Sequence, residues 1–212
     1  MNDKVHGYIA SLYKDRPALF QEMEKFAEQE SVPIMELDGM ETLLQWLRFQ
    51  QPKRILEVGT AIGYSALRMA DALPNTEIVT IERDDRRIKQ ARSFISRSND
   101  ENRIHILSGD ALDLKDEVSS YGEFNAIFID AAKSQYGRFF ELYEPMLSND
   151  GVIYTDNVLF KGLVADVTPE LSRNVKQLVR KLDRYNQWLM AKADYHTVII
   201  SVGDGLAISK KR

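Results

Sequence analysis

Hydrophobic positions change their period near residue 53. Before it the spacing is helical. Residues 3–14 and 17–30 read as two amphipathic helices separated by Asp15-Arg16-Pro17, with Pro17 suited to a first helical turn. Leu19, Phe20, Met23, Phe26 and Ala27 recur along one face of the second. A connection holding Pro33 and Met35 follows, and Asp38 is placed to cap a third helix bearing Met40, Leu43, Leu44 and Leu47. From residue 53 short β-branched and aromatic runs at 53–58, 76–81, 103–107, 124–129 and 151–155 alternate with helical patterns near 64–73, 84–98, 111–118 and 134–147. A helix at about 170–190 precedes two last runs, 195–202 and 206–209, joined by Gly203-Asp204-Gly205.

Repeated strand–helix–strand spacing predicts an α/β, doubly wound, mostly parallel sheet covered on both faces. The short final join is a hairpin, so the last strand must run antiparallel to its neighbour. With no linker or internal repeat, residues 1–212 read as one domain: helices over 1–50, then an α/β core over 51–212. The apolar stripes of the first three helices suit packing on that sheet or a dimer surface.

Composition narrows the chemistry. There is no cysteine, which excludes disulfides, thiolate nucleophiles and cysteine-held zinc. A formal net charge of −4 gives no global sign of a nucleic-acid binder, so an RNA substrate would need a local basic patch. Residues 1–13 lack the apolar stretch of a signal peptide, and no apolar run approaches a membrane span, which predicts a cytoplasmic protein without a membrane partner.

Polar residues gather at the strand ends, where open parallel sheets bind ligands. Arg54-Ile55-Leu56-Glu57-Val58-Gly59-Thr60-Ala61-Ile62-Gly63-Tyr64-Ser65 reads as a strand ending on an acid, a tight turn and a helix start. A nicotinamide site would want a glycine between Gly59 and Gly63 and no acid beside its pyrophosphate. Glu57 suits a cationic ligand instead, such as the sulfonium and ammonium of S-adenosylmethionine. Glu82 stands where an acid commonly holds ribose hydroxyls. Asp110 can receive an adenine amino group, with the small Ala111 letting the backbone approach the ring. Asp130, Asp156 and Asn157 offer three oxygen ligands for a hard cation such as Mg²⁺. Lys133 stands close enough to act as a base or electrostatic aid. His6, His105 and His196 are scattered and read as structural or solvent-facing.

Jointly, Glu57-x-Gly59-Thr60-x-x-Gly63-Tyr64-Ser65, Asp130-x-x-Lys133, Asp156-Asn157 and Gly203-Asp204-Gly205-Leu206 resemble the cation-dependent O-methyltransferases, which include the catechol and caffeoyl-CoA enzymes. The similarity spans roughly residues 33 to 212. It implies a class I, Rossmann-like methyltransferase fold with seven strands. It implies that Glu82 binds ribose, that Asp110 and Ala111 bind adenine, and that Ser65 with the Glu57–Gly63 turn holds the methionine moiety. Met35 matches a segment that covers the cofactor. Asp130, Asp156 and Asn157 match the metal ligands, Lys133 matches the catalytic lysine, and homodimers are common. The acceptor must then present a hydroxyl beside a second oxygen. Residues 32–36, 59–65 and 156–162 look most like the bacterial tRNA 5-hydroxyuridine methyltransferases, whose product is 5-methoxyuridine at the wobble position. An anticodon loop is therefore the expected acceptor, with small phenolic diols as the alternative. A non-catalytic S-adenosylmethionine-binding protein is the reading from another class, although it could dispense with Asp130, Lys133 and Asn157.

Overall fold

The computed structural model describes residues 3–166 and 170–212. Seven strands form one sheet in the order β3-β2-β1-β4-β5-β7-β6. β1 (Arg54–Val58), β2 (Glu77–Glu82), β3 (Ile104–Ser108), β4 (Phe124–Ile129) and β5 (Leu147–Thr155) are mutually parallel, whereas β7 (Leu206–Lys211) runs antiparallel to both β5 and β6 (Tyr195–Ile200). The hairpin was expected; the insertion of β7 between β5 and β6 depends on pairing that local pattern does not carry.

Side chains alternate between two cores. Ile55, Ile78, Ala126, Phe128 and Tyr154 pack with α2 (Ala18–Gln29), α3 (Leu37–Gln50), α4 (Tyr64–Ala72) and α5 (Asp85–Ile95). Leu56, Val79, Ile127, Ile129 and Ile153 pack with α6 (Lys115–Ser119), α7 (Tyr136–Tyr143) and α8 (Arg173–Ala191). Phe20, Met23, Met40, Leu43, Leu44 and Leu47 thus cover the sheet rather than stand apart from it. Val5, Tyr8 and Leu12 of α1 (Asp3–Leu12) are instead exposed, so these apolar positions of the first helix do not pack on the sheet. Among the described residues no helix is long and apolar enough to cross a membrane.

Three local expectations need correction. Asp38 does not cap α3: the cap position is Glu36, and Asp38 lies in the first turn. The helix expected over 111–118 shrinks to Lys115–Ser119, because the Asp110 carboxylate bonds the Leu112 amide and holds a turn there. The segment 134–147 is α-helical only in its middle, flanked by 3₁₀ turns at Lys133–Gln135 and Glu144–Met146. Pro145 has no amide hydrogen to extend the helix, and β5 starts directly afterwards.

The order reverses between β1 and β4, and a parallel sheet opens a crevice at such a point. Backbone bonds continue past the strand ends and fix its walls: Gly59 and Thr60 amides donate to Ile81 O, Asp130 N to Val58 O, and Asp156 N to Ile129 O. At Gly59, φ is 109° and a Cβ would overlap the Asp130 carbonyl. Gly59→Ala should therefore cost about 2–4 kcal/mol through overpacking and strain. Urea denaturation measures this, and wild-type stability in the variant would refute the close approach.

Candidate active site

One cavity of about 700 Å³ opens at the carboxyl ends of β1, β2, β3, β4 and β5. Its walls include Met35, Gly59, Ser65, Glu82, Asp110, Ala111, Asp130, Lys133, Asp156 and Asn157. Ten of the residues singled out by sequence thus converge on one space. Glu57 and Gly63 do not line it.

Their positions have physical causes. Glu57 is fully buried and shares the β1 face of Ile55, so its carboxylate points beneath α4. There it accepts hydrogen bonds from Ser65 Oγ and Thr80 Oγ1, each at 2.5 Å, and Thr80 in turn meets Thr60 Oγ1 at 2.6 Å. Ser65 stands between this carboxylate and the cavity. Gly63, at φ 83°, would place a Cβ within 3.3 Å of Ala91 Cβ and 3.4 Å of Ile95 Cδ1, so its missing side chain lets α5 pack closely.

At the β2–β3 end, polar groups are already engaged. Glu82 accepts from the amides of Ala61 (2.9 Å), Arg83 (2.8 Å) and Asp84 (3.0 Å), which ties the β1–α4 turn to β2. Asp110 accepts from Leu112 N at 3.0 Å, and its other oxygen faces Arg83 Nη1 at 3.3 Å. Met35 is buried and reaches the cavity from the α2–α3 connection.

At the opposite end Asn157 Nδ2 lies 2.7 Å from Asp156 Oδ2 and 3.4 Å from Asp130 Oδ1, joining the two carboxylates. Asn157 adopts φ 60°, a left-handed conformation that asparagine tolerates better than most residues. Burial pushes the Asp130 carboxyl up to about 6, although the Lys133 charge and the Asn157 amide pull it down. Burial, followed by the Asp130 charge, pushes Asp156 up to about 8. Two buried carboxyl groups side by side suit a hard divalent cation, which would relieve their repulsion. Asn157 would join them as a ligand by turning its amide so that Oδ1, rather than the Nδ2 that now faces the acids, points at the ion. Among the described residues no group of three His, Cys, Asp or Glu side chains converges as an ion site, so a cation here would rely on Asn157 as third ligand. Lys133 Nζ lies 5.9 Å from the Phe160 ring centroid at the same end.

Several wall residues escaped the sequence reading. Asp204, at the β6–β7 turn, reaches the cavity because β7 lies beside β5; its motif was visible, its location was not. Arg83 and Phe160 follow recognised polar residues but carried no periodic signal of their own. His105 pairs with Glu77 at 3.0 Å and His196 is exposed, as expected, while the His6 side chain lies outside the described residues.

Burial also pushes Glu57 up to about 7, opposed by its Ser65 and Thr80 bonds and reinforced by Asp130 and Glu82. Its folded value thus exceeds its unfolded one, so the native state holds the proton more tightly. That contribution is fully present below about pH 4.5 and is lost as pH rises to about 7. Glu57→Gln removes this dependence. The apo variant should gain on wild type by up to about 3 kcal/mol between those limits, as read from urea unfolding at several pH values. A pH-independent difference would sink the assignment.

An O-methyltransferase family model matches residues 10–212. A catechol O-methyltransferase from Niastella koreensis is 32% identical, with 98% of this chain and 96% of that protein covered. Among solved structures, a candidate caffeoyl-CoA O-methyltransferase from Staphylococcus aureus superposes with a TM-score of 0.92 at 38% identity, covering 97% of this chain and 98% of that one. An SAH-bound methyltransferase from Podospora anserina gives 0.87 at 25% identity, covering 99% and 94%. With its strand order, its converging strand-end acids and a family match over nearly its whole length, this chain belongs to the O-methyltransferase family.

Proposed function

We propose that the chain moves the methyl group of S-adenosylmethionine onto a hydroxyl flanked by a second oxygen, and that its acceptor is 5-hydroxyuridine in the anticodon loop of tRNA. The observation that carries the transfer reading is a single cavity with adenosine-type acids, Glu82 and Asp110, at one end and Asp130, Lys133, Asp156 and Asn157 at the other. The SAH-bound Podospora relative supports the donor. Support for the acceptor comes from the subgroup resemblance of residues 59–65 and 156–162, from the small Ala131 and Ala132 in the cavity wall, and from exposed Lys161 at its rim. Such an enzyme would work in the cytoplasm.

In this reading Glu82 and Asp110 orient the adenosine, while Ser65 and the Gly59 turn hold the methionine end. Asp130, Asp156 and Asn157 would hold a hard divalent cation such as Mg²⁺, which when bound stabilises an ionised acceptor oxygen. Lys133 takes the hydroxyl proton in its neutral form or, as an ammonium, stabilises the ionised oxygen while the proton passes to water. The acceptor oxygen then forms its bond to the methyl carbon as the carbon–sulfur bond breaks, leaving S-adenosylhomocysteine. Met35 closes over the donor and keeps water out.

The Niastella relative favours a second reading, a small catechol-like acceptor. Labelled donor with Mg²⁺, hydroxyuridine-bearing tRNA and a catechol panel separates the two. Label on tRNA is expected; label on catechols alone would overturn the RNA acceptor. Lys133→Ala should lower kcat by roughly 10²–10⁴-fold, the usual range for a lost general base, with SAH affinity by calorimetry unchanged. Asp156→Ala should abolish turnover and likewise spare SAH binding. Full activity of that variant, or of wild type in chelator, would remove the cation from the reading.

A further inference from the structure

We propose that the amino-terminal half of α8 is the wall on which the sugar–phosphate backbone of a folded RNA docks, an inference that rests on the RNA-acceptor reading above. Two contacts set the height of this helix against the sheet. Tyr185 OH meets Thr155 Oγ1, at the end of β5, at 2.9 Å, and Asn186 Nδ2 donates to Val158 O at 2.8 Å. Residues 185 and 186 are therefore level with the carboxyl edge where the cavity opens. The helix then descends along the sheet to Ala191, after which β6 begins at Tyr195. Its other end, Arg173, lies about 18 Å further along the axis at 1.5 Å per residue. The stretch 173–184 thus projects past the edge, beside the mouth, and anything too large to enter the cavity whole meets it.

That stretch is cationic on its outward face. Arg173, Arg180, Lys181 and Arg184 are exposed at helical spacing, opposite the buried Val179, Leu182, Tyr185 and Leu189. Among the described residues no carboxylate lies within ion-pair distance of these four. Asp183, on the same helix, is held by Gln187 Nε2 at 3.0 Å. Ser172 caps the tip at 3.3 Å from Val175 N, and the positive end of the helix dipole points the same way. The chain as a whole carries −4, so this concentration of positive charge runs against its average. Lys161, exposed on the loop after Asn157, adds a further cation at the cavity rim. A polyanion matches such a stripe: phosphates displace bound counterions along the helix, and one flipped base reaches the cavity.

The test replaces Arg173, Arg180, Lys181 and Arg184 together with alanine and measures tRNA affinity by fluorescence anisotropy across a salt series. The Kd should rise roughly tenfold or more, and the salt slope should flatten by about 0.7–0.9 per lost phosphate contact. SAH affinity and methylation of the 5-hydroxyuridine nucleoside should stay at wild-type levels, which shows that the variant is folded. A variant with Arg86, Arg87, Lys89 and Arg92 of α5 replaced together by alanine, the same loss of four positive charges on the opposite face of the sheet, controls for net charge. Wild-type RNA affinity and slope in the α8 variant, or an equal loss in the α5 control, would overturn the docking wall. RNA held by α8 yet never methylated would overturn the acceptor reading alone. A wild-type protein that binds no RNA would overturn both.

Discussion

The ends of β1 and β4 approach so closely that no side chain fits between them. At Gly59 the chain turns directly against the Asp130 carbonyl, and the Asp130 amide bonds Val58 O. This contact fixes the β1–α4 turn relative to Asp130, the first acid at the other end of the cavity. Methyl transfer in a single displacement needs the reacting atoms aligned within a fraction of an ångström, and such alignment accounts for several kcal/mol of barrier. Two neighbouring strands tied by backbone bonds supply that alignment without any side chain having to move.

Charge burial at the same seam has the opposite energetic sign. Burial raises the carboxyls of Glu57, Asp130 and Asp156 above their ordinary range, and the Asp130 charge adds to the rise at Glu57 and Asp156. Hydrogen bonds from Ser65, Thr80 and Asn157 offset part of this. The remainder is an electrostatic debt that a cationic ligand can cancel. The sulfonium and ammonium of the donor are cations, and so is the metal ion proposed for the other end, so binding of either would relieve this repulsion and stabilise the folded chain.

Much of this was legible in the sequence, because short β-branched runs bounded by turn residues mark strand ends and ligands gather there. The strands fall within a few residues of expectation, and eight of the ten wall residues converge because they end or follow strands, while Met35 and Ser65 reach the cavity from the α2–α3 connection and from α4. An acid at Glu57 suggests a carboxylate facing the ligand, yet the two-residue period it shares with Ile55 points it at α4. Gly63 was read as a ligand glycine because close helix packing and ligand approach select the same residue type. Asp204 needed knowledge of the neighbour of β7, a pairing between segments some fifty residues apart, which no local pattern carries. Asp38 failed as a cap because the preceding connection, with Met35 buried in the core, starts the helix earlier.

The place of β7 has a consequence for how the molecule is made. β5 has its outer edge open until residues 206–211 insert beside it, and β6, made earlier, cannot fill that gap in its final position. The same hairpin grips the loop after Asn157, since Val158, Leu159 and Phe160 amides donate to Gly205 and Asp204 carbonyls. During synthesis, then, a bare strand edge and an unheld loop after Asn157 persist together until residues 206–211 arrive. Such an edge invites pairing with other chains, and long-range closure of this kind is slow. The step that completes the Asp130–Asp156 end of the cavity is therefore also the one that covers the open strand edge, so the cavity is whole only once the chain is safe from its neighbours.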